Sequence, residues 1–245
     1  MELGENNHRV FILKPRIANT QFISPHSATP RNKKNLLLAC TGSTATLKLP
    51  EMLATLTSYS ACLSIHLILS PSSLRFLPNT LTEPSPATAI PTRYPIVSRA
   101  WTNDDEWVEW TKPGDPVLHI ELRKWADMLL IAPLSADSLS KMVGGRVNGL
   151  LGGVVRTWDV EKSMVVAPAM DAFMWKHPMT GVHVNALKGS FDWVKVLEPV
   201  EQSFLPVDGG MDVMAGWRDV VEYVVKELGL ERKQMDGYLG LRGWR

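Results

Sequence analysis

Several features that mark specialised classes of protein are scarce or missing in this sequence. Only two cysteines, Cys40 and Cys62, occur in 245 residues. Both lie in apolar, strand-like runs, so we expect buried, reduced thiols in a reducing, cytoplasmic compartment rather than a disulfide framework. No run approaches the ~20 apolar residues of a membrane-spanning helix. The formal charge of +1 at pH 7 provides no electrostatic case for binding nucleic acid or an anionic membrane surface.

Acidic residues are absent from a long N-terminal stretch, between Glu5 and Glu51. Residues 1–34 also contain three prolines and lack the apolar core of a secretory signal. We therefore predict an N-terminal arm over residues 1–34, one domain over residues 35–230 and a C-terminal tail over residues 231–245. A hydrophobic content of 45% is typical of an ordinary globular domain.

Short apolar runs alternate with helical patterns along this domain. The runs "NLLLAC", "ACLSIHLILS" and "SMVVAPAM" and the segment Met128–Leu134 have the length of strands that are covered on both faces. We predict a doubly wound, parallel α/β sheet, in which His66 is a packed, hydrogen-bonded strand residue. Residues 78–95 contain five prolines and no periodic pattern, which indicates a surface loop.

Small hydroxyl residues follow three of the predicted strands. In a doubly wound sheet such turns lie at the carboxyl edge, where ligands bind. Backbone N–H groups and hydroxyls at a helix start can hold a phosphate or the edge of a flavin, although each turn alone is also typical of a plain helix N-cap. The candidate residues are Gly42, Ser43 and Thr44 after the first strand, Ser70 and Ser72 after the second, and Ser135, Ala136, Asp137 and Ser138 after Met128–Leu134.

Four motifs occur in series: "HIELRKWAD", "APLSADS", "VVRTWD" and "PAMDAFMW". Together they resemble the phosphopantothenoylcysteine decarboxylases, which belong to the flavin-containing cysteine decarboxylases, over about residues 35–228. The resemblance implies a flavodoxin-like (Rossmann-type) fold with three α/β/α layers, bound FMN and a homotrimer with flavin at the subunit contacts. It also makes the hydroxyl-bearing turns candidate FMN contacts.

The same resemblance implies roles for residues outside those turns. It places the catalytic base at His119, and an imidazole that titrates near neutral pH suits proton abstraction. It also places Asp171 where the family has an asparagine that binds the leaving carboxylate. The residues that it assigns to substrate binding are Lys124, Asn148, Ala169, Met170 and Met174.

Several departures from the family pattern affect its chemistry. An ionised aspartate at position 171 only accepts hydrogen bonds, so it opposes binding of a substrate carboxylate. The family's cysteine-containing flap corresponds to "FLPVDGGMDVMAGW", which has no cysteine to protonate the enethiol. Pro71 and Lys124 stand where the family has a lysine and an arginine, which weakens the expected phosphate recognition.

Three functional hypotheses remain open from the sequence. The first is a diverged flavin enzyme that oxidises, decarboxylates or rearranges another substrate. The second is a non-catalytic or partner-completed subunit of a mixed decarboxylase trimer in coenzyme A synthesis, in which a related subunit supplies the asparagine and the cysteine. The third is a phosphatase-inhibiting regulator similar to the halotolerance proteins. This last hypothesis ranks lowest because the chain ends in "LRGWR" rather than in a long acidic tail.

Overall fold

The computed structural model describes residues 33–108, 110–199 and 214–231. The predicted arm (1–34) and tail (231–245) fall outside these ranges, apart from Lys33, Lys34 and Glu231. Most of the flap segment at residues 204–217 also lies outside the described residues, namely 204–213, so the interpretation of its missing cysteine rests on sequence alone.

The described chain is organised around a parallel sheet of six strands. Every strand pair is parallel, and the order across the sheet is β3-β2-β1-β4-β5-β6. The chain therefore winds outward in one direction from β1 and in the other from β4, as a doubly wound fold requires. The strands are β1 (Lys34–Cys40), β2 (Leu63–Leu69), β3 (Val97–Trp101), β4 (Met128–Leu134), β5 (Met164–Pro168) and β6 (Val194–Val196).

Helices cover both faces of this sheet, which confirms the predicted three-layer architecture. Each crossover between parallel strands needs a connection of a dozen or more residues, and helices supply most of that length. Short 3-10 turns complete several connections. The α-helices are α1 (Leu49–Leu56), α2 (Asn79–Thr82), α3 (Pro86–Arg93), α4 (Leu118–Trp125), α5 (Ala136–Val143), α6 (Gly149–Arg156), α7 (Ala172–Lys176), α8 (Pro178–Ser190) and α9 (Trp217–Glu227).

Alternate residues of β1 enter two separate hydrophobic clusters. Leu36 and Leu38 pack on one face of the sheet with α1 and α9, whereas Leu37 and Ala39 pack on the other face with α4 and α6. All four side chains are fully buried. A strand buried on both faces has no polar positions to alternate with apolar ones, which is why its sequence is a continuous apolar run.

His66 occupies the position that the sequence predicts. It lies in β2, is 6% exposed and accepts a hydrogen bond at Nδ1 from Trp101 Nε1, at 2.9 Å. The prediction for the cysteines is only half right. Cys40 is buried, whereas Cys62 is partly exposed; both are free.

The prediction of a surface loop at residues 78–95 is wrong. The segment forms helices α2 and α3, and Leu81 and Ile90 are buried in the core. Pro86 is compatible with this structure because it lies in the first turn of α3, where a missing N–H costs no hydrogen bond. The proline-rich composition concealed two helices that are too short to show a clear period.

Helices α5 and α6 are separated by a short non-helical stretch at residues 144–148. Helix α6 begins at Gly149, which has φ +68°. Within the described ranges, no helix is long and apolar enough to cross a membrane.

Candidate functional site

The loops after β1 and β4 meet at the point where the winding direction of the sheet reverses. Thr41, directly after β1, donates a hydrogen bond from Oγ1 to the carbonyl of Pro133 at 3.0 Å. The same Oγ1 accepts a hydrogen bond from the backbone N–H of Ser135 at 2.7 Å. In open α/β sheets, ligands bind in the crevice outside this switch point.

A cavity of about 620 Å³ opens at this edge of the sheet. Its size is within the range of about 300–1,000 Å³ that is usual for small-molecule sites. One part of its wall is apolar and comes from strands β2 and β4 and helices α5 and α6. The residues of that part are Ile68, Ile131, Leu134, Met142, Leu151 and Val155.

Gly42 and the second hydroxyl turn pack tightly at one side of this cavity. A Cβ atom added to Gly42 would lie 2.5 Å from Cβ of Ser72, so only glycine allows this approach. Ser72 begins a 3-10 helix at Ser73–Phe76 without capping it through its side chain. Ser70 accepts a hydrogen bond at Oγ from the N–H of Ser73, at 3.1 Å. The turn therefore presents hydroxyl groups on a closely fitted backbone.

The loop after β4 provides a second group of hydroxyls. Ser135 is the N-cap of α5, and its Oγ accepts a hydrogen bond from the N–H of Ser138 at 3.3 Å. The two hydroxyls also lie 3.1 Å apart. Both residues line the cavity. The loop thus has the plain capping structure, and it also faces the space where a ligand can bind.

The charged side chains of the cavity wall leave an excess of one positive charge. Lys141 and Arg146 contribute two cations and Asp137 one anion, so the sum is 2 − 1 = +1. Lys141 Nζ donates to Asp137 Oδ2 at 2.6 Å, within α5. An anionic ligand would complement the remaining charge.

Most of the site residues predicted from the sequence lie around this one cavity. The lining includes predicted residues from both cofactor and substrate sets: Gly42, Ser70, Ser72, Ser135, Ala136, Asp137, Ser138, Asn148, Ala169, Met170 and Met174. The other five predicted residues, Ser43, Thr44, His119, Lys124 and Asp171, are not among the lining residues.

Four polar lining residues were missed by the sequence analysis: Thr41, Asn103, Lys141 and Arg146. Thr41 and Asn103 could have been found, because they follow β1 and β3 at the carboxyl edge of the sheet. Asn103 Oδ1 accepts a hydrogen bond from the N–H of Leu150 at 3.2 Å, which brings its loop to α6. Lys141 and Arg146 carried no comparable signal.

His119 lies in the first turn of α4 and contacts helix α6, but it is not among the residues that line the cavity. Its Nδ1 is 3.1 Å from Oε1 of Glu106, and 16% of its side chain is exposed. A Cβ atom on Gly153 would lie 2.8 Å from Cγ of His119. Gly153 therefore contacts the imidazole, while Gly152, the preceding residue of α6, lines the cavity.

Three further predicted residues have local partners. Lys124 Nζ donates to Glu121 Oε1 at 2.8 Å, one turn earlier in α4. Asp171 is the N-cap of α7, and its Oδ1 accepts a hydrogen bond from the N–H of Phe173 at 2.7 Å. Ser43 likewise caps a 3-10 helix that begins at Thr44, since it accepts from the N–H of Ala45 at 3.1 Å.

Comparison with known families establishes the family to which the chain belongs. A family model described as Flavoprotein matches residues 24–229. The chain belongs to the flavoprotein family. Phosphopantothenoylcysteine decarboxylase of Oryza sativa subsp. japonica is 37% identical over 191 residues, which cover 78% of this chain and 77% of the rice protein. This confirms the family resemblance drawn from the four motifs.

A second relative, from a fungus, is one subunit of a decarboxylase. It is a phosphopantothenoylcysteine decarboxylase subunit of Saccharomyces cerevisiae, 31% identical over 246 aligned positions. The alignment covers 88% of this chain and 44% of the yeast protein. The chain thus spans less than half the length of that relative.

Solved flavoprotein structures confirm the fold. A PPC decarboxylase mutant complexed with pantothenoylaminoethenethiol superposes with a TM-score of 0.66 at 33% identity, covering 80% of this chain and 99% of the other. The FMN binding protein AtHal3 also gives a TM-score of 0.66, at 35% identity, covering 80% of this chain and 96% of the other.

Proposed function

We propose that this flavoprotein binds FMN, without a covalent bond, in the cavity at the switch point. The observation that carries the proposal is the combination of two hydroxyl-bearing turns, an excess positive charge and an apolar wall around one cavity of about 620 Å³. That donor set fits a phosphate joined to a large, flat, partly apolar ring. Among the flavins we choose FMN, because the structurally similar protein AtHal3 is an FMN binding protein.

The residues of the cavity would bind and shield the cofactor. The turn of Gly42, Ser70 and Ser72 and the loop of Ser135–Ser138 would hold FMN through hydroxyl and backbone N–H groups. The apolar residues at the strand ends would exclude water from its ring. Bound FMN supplies a two-electron acceptor for the oxidation of a substrate.

His119 would act as the base of this chemistry, but in the cavity of a neighbouring subunit. His119 is not among the residues that line the cavity of its own chain: Gly152 of α6 lines it, whereas the next residue, Gly153, contacts the imidazole. A closed cyclic assembly would bring the His119 of one subunit to the cavity of the next. We therefore propose that the chain assembles as a trimer, either with itself or with a related chain.

The side chain of Asp171 favours a mixed trimer over a trimer of identical chains. Its carboxylate caps α7 and, when ionised, has no hydrogen to donate to a substrate carboxylate. A subunit that provides His119 and flavin-binding residues would need a related subunit to provide an amide and an acidic thiol. The yeast relative that is described as a decarboxylase subunit supports this mixed assembly. The two free cysteines are consistent with function in a reducing cytoplasm.

A diverged flavin enzyme is the second candidate. The carboxylate of Asp171 favours this candidate as well, since it would suit a substrate without the cysteine carboxylate that the family's asparagine binds. Such an enzyme would use His119 and FMN to oxidise, decarboxylate or rearrange that substrate as a homotrimer. This candidate predicts that no second subunit is required for catalysis.

Reconstitution with purified components tests these proposals. The chain alone should purify with a flavin absorption spectrum and should not form phosphopantetheine over multiple turnovers. It should gain turnover when it is assembled with a related subunit that carries the Asn and Cys but whose own catalytic histidine is replaced by asparagine. In that assembly His119→Asn should reduce turnover by about 100-fold or more. His183→Asn, on the partly exposed face of α8, is the matched control and should retain activity.

Three results would contradict the proposal. A protein that stays colourless after FMN is added and the excess removed would contradict the flavin site. Multiple turnover by the chain alone would contradict the need for a partner. Turnover of the mixed assembly that survives His119→Asn would contradict the role of His119.

A further inference from the structure

Glu106 and His119 form a pair that no sequence motif suggested. They belong to different elements: Glu106 follows the 3-10 turn at Asn103–Asp105, and His119 is in the first turn of α4. Glu106 Oε1 lies 3.1 Å from His119 Nδ1. The side chain of Glu106 is only 9% exposed and that of His119 only 16% exposed, so both groups are largely withdrawn from water.

The chemistry of this contact determines which ring nitrogen carries a proton. A neutral imidazole has one N–H donor and one acceptor nitrogen, so the partner of Nδ1 selects between the two tautomers. An ionised carboxylate can only accept a hydrogen bond. Nδ1 of His119 must therefore be the donor, and in the neutral ring Nε2 is left with a free lone pair.

The surroundings also restrict rotation of the imidazole. Gly153 of α6 packs against it, since a Cβ atom there would lie 2.8 Å from Cγ of His119. Trp107 approaches the ring edge-on, with its centroid 6.3 Å away and an interplanar angle of 80°. A ring held on one side by a carboxylate and on another by backbone has few alternative orientations.

We propose that Glu106 is a positioning residue, which holds His119 in the Nδ1–H tautomer and so makes Nε2 the basic atom. The inference rests on the proposed function, in which His119 is the base. During proton abstraction, Nε2 would take the substrate proton and the ring would become an imidazolium. The adjacent Glu106 carboxylate would stabilise that positive charge, and the ring would return to its starting state when Nε2 gives the proton away.

Nitrogen-15 NMR of histidine-labelled protein tests the tautomer directly in the FMN-bound full chain. The His119 signal is assigned by its disappearance in His119→Asn. We expect the pattern of an Nδ1–H ring in the wild type, at a pH where the ring is neutral. Glu106→Gln should weaken this preference, because an amide can either donate or accept. Glu106→Ala should shift the ring towards the Nε2–H tautomer that an unpartnered imidazole prefers.

Glu121→Gln is the matched control. Glu121 is on the same helix as His119 and is similarly buried, with 8% of its side chain exposed, but it pairs with Lys124. Its replacement should leave the His119 tautomer unchanged. In the mixed assembly described above, Glu106→Gln should reduce turnover by about 100-fold with normal FMN content, while Glu121→Gln should stay within about twofold.

The outcomes separate this inference from the proposed function. An Nε2–H ring at His119 in the wild type would overturn the role of Glu106. A tautomer preference of His119 that stays the same in both Glu106 variants would also overturn it. The wild-type spectrum decides this point even if a variant fails to fold. Turnover that depends on His119 but not on Glu106 would overturn the inference and leave the proposed function intact. An Nδ1–H ring at His119 in a protein that shows no turnover in any assembly would support the role of Glu106 in setting the tautomer and would contradict the proposed function.

Discussion

Acid should destabilise this protein through His66. Burial, and secondarily the charge of Arg99, lower the pKa of His66 from its ordinary 6.5 to about 3. Protonation would also remove the acceptor at Nδ1, which receives the hydrogen bond from Trp101. The native state therefore requires a neutral ring at position 66, whereas the unfolded chain does not.

The size of the effect follows from the difference between the two pKa values. Between about pH 6.5 and about pH 3, the unfolded chain binds a proton at His66 that the folded chain does not, so the free energy of unfolding falls as the pH falls. One pH unit within that window is worth about 1.4 kcal/mol. The loss from this residue should be about 2 kcal/mol at about pH 5 and should approach about 5 kcal/mol near pH 3.

Urea denaturation of the wild type and of His66→Gln at about pH 7.5 and about pH 5 measures this loss. A glutamine oxygen can still accept the hydrogen bond from Trp101, but it does not titrate. We expect the wild type to lose about 2 kcal/mol more than His66→Gln between the two pH values. His183→Gln, on α8, should behave like the wild type. Protein and FMN concentrations are held constant, because assembly and ligand binding change apparent stability.

Equal losses in the wild type and in His66→Gln would refute the reasoning. They would show that His66 is not held neutral by its surroundings, either because water reaches the ring or because the local structure opens before the ring titrates.

Two further predictions concern the site and the helix that carries His119. Gly42→Ala should weaken FMN binding by at least about tenfold, or about 1.4 kcal/mol, in a fluorescence titration, because the new Cβ would lie 2.5 Å from Cβ of Ser72. The control is Gly181→Ala, whose new Cβ meets nothing within 4 Å, and this variant should bind FMN normally. Equal FMN affinities of the two variants would contradict the tight fit of the turn at Gly42. Lys162→Met should reduce the free energy of unfolding by roughly 1–3 kcal/mol in urea, because Nζ donates to three backbone carbonyls at the end of α4. Lys188→Met, which removes only an exposed ion pair, is its control, and equal losses would contradict the capping role.

The sequence predicted the four central strands of the sheet, because a parallel strand that is covered on both faces must be apolar throughout. It did not predict the two edge strands, β3 and β6. The predicted bounds of the strand at Met128–Leu134 are the same as those of β4 in the structure. His66 was correctly interpreted as a strand residue with a hydrogen-bond partner. The prediction at residues 78–95 was wrong, since five prolines obscured helices α2 and α3, whose few buried residues leave too little pattern to detect.

The candidate site was predictable only in part. The hydroxyl turns could be located because carboxyl ends of parallel strands share one edge of the sheet. Their assignment to FMN, and that of His119 to catalysis, stays a prediction that came from the resemblance. Lys141 and Arg146 were missed because nothing in their local pattern indicates which wall of a cavity they join.

The sequence by itself determined the four central strands, the hydroxyl-bearing turns after three of them and the family, because these depend on the order of residue types along the chain. Only the tertiary structure decided that His119 does not line the cavity of its own chain, and that Glu106 meets Nδ1 of that histidine at 3.1 Å. The helix that carries His119 is placed by packing against the sheet. The turn that precedes Glu106 is held by a hydrogen bond from Leu150 of α6 to Asn103. Contacts of that kind depend on how the elements cross in space, which local sequence patterns do not encode.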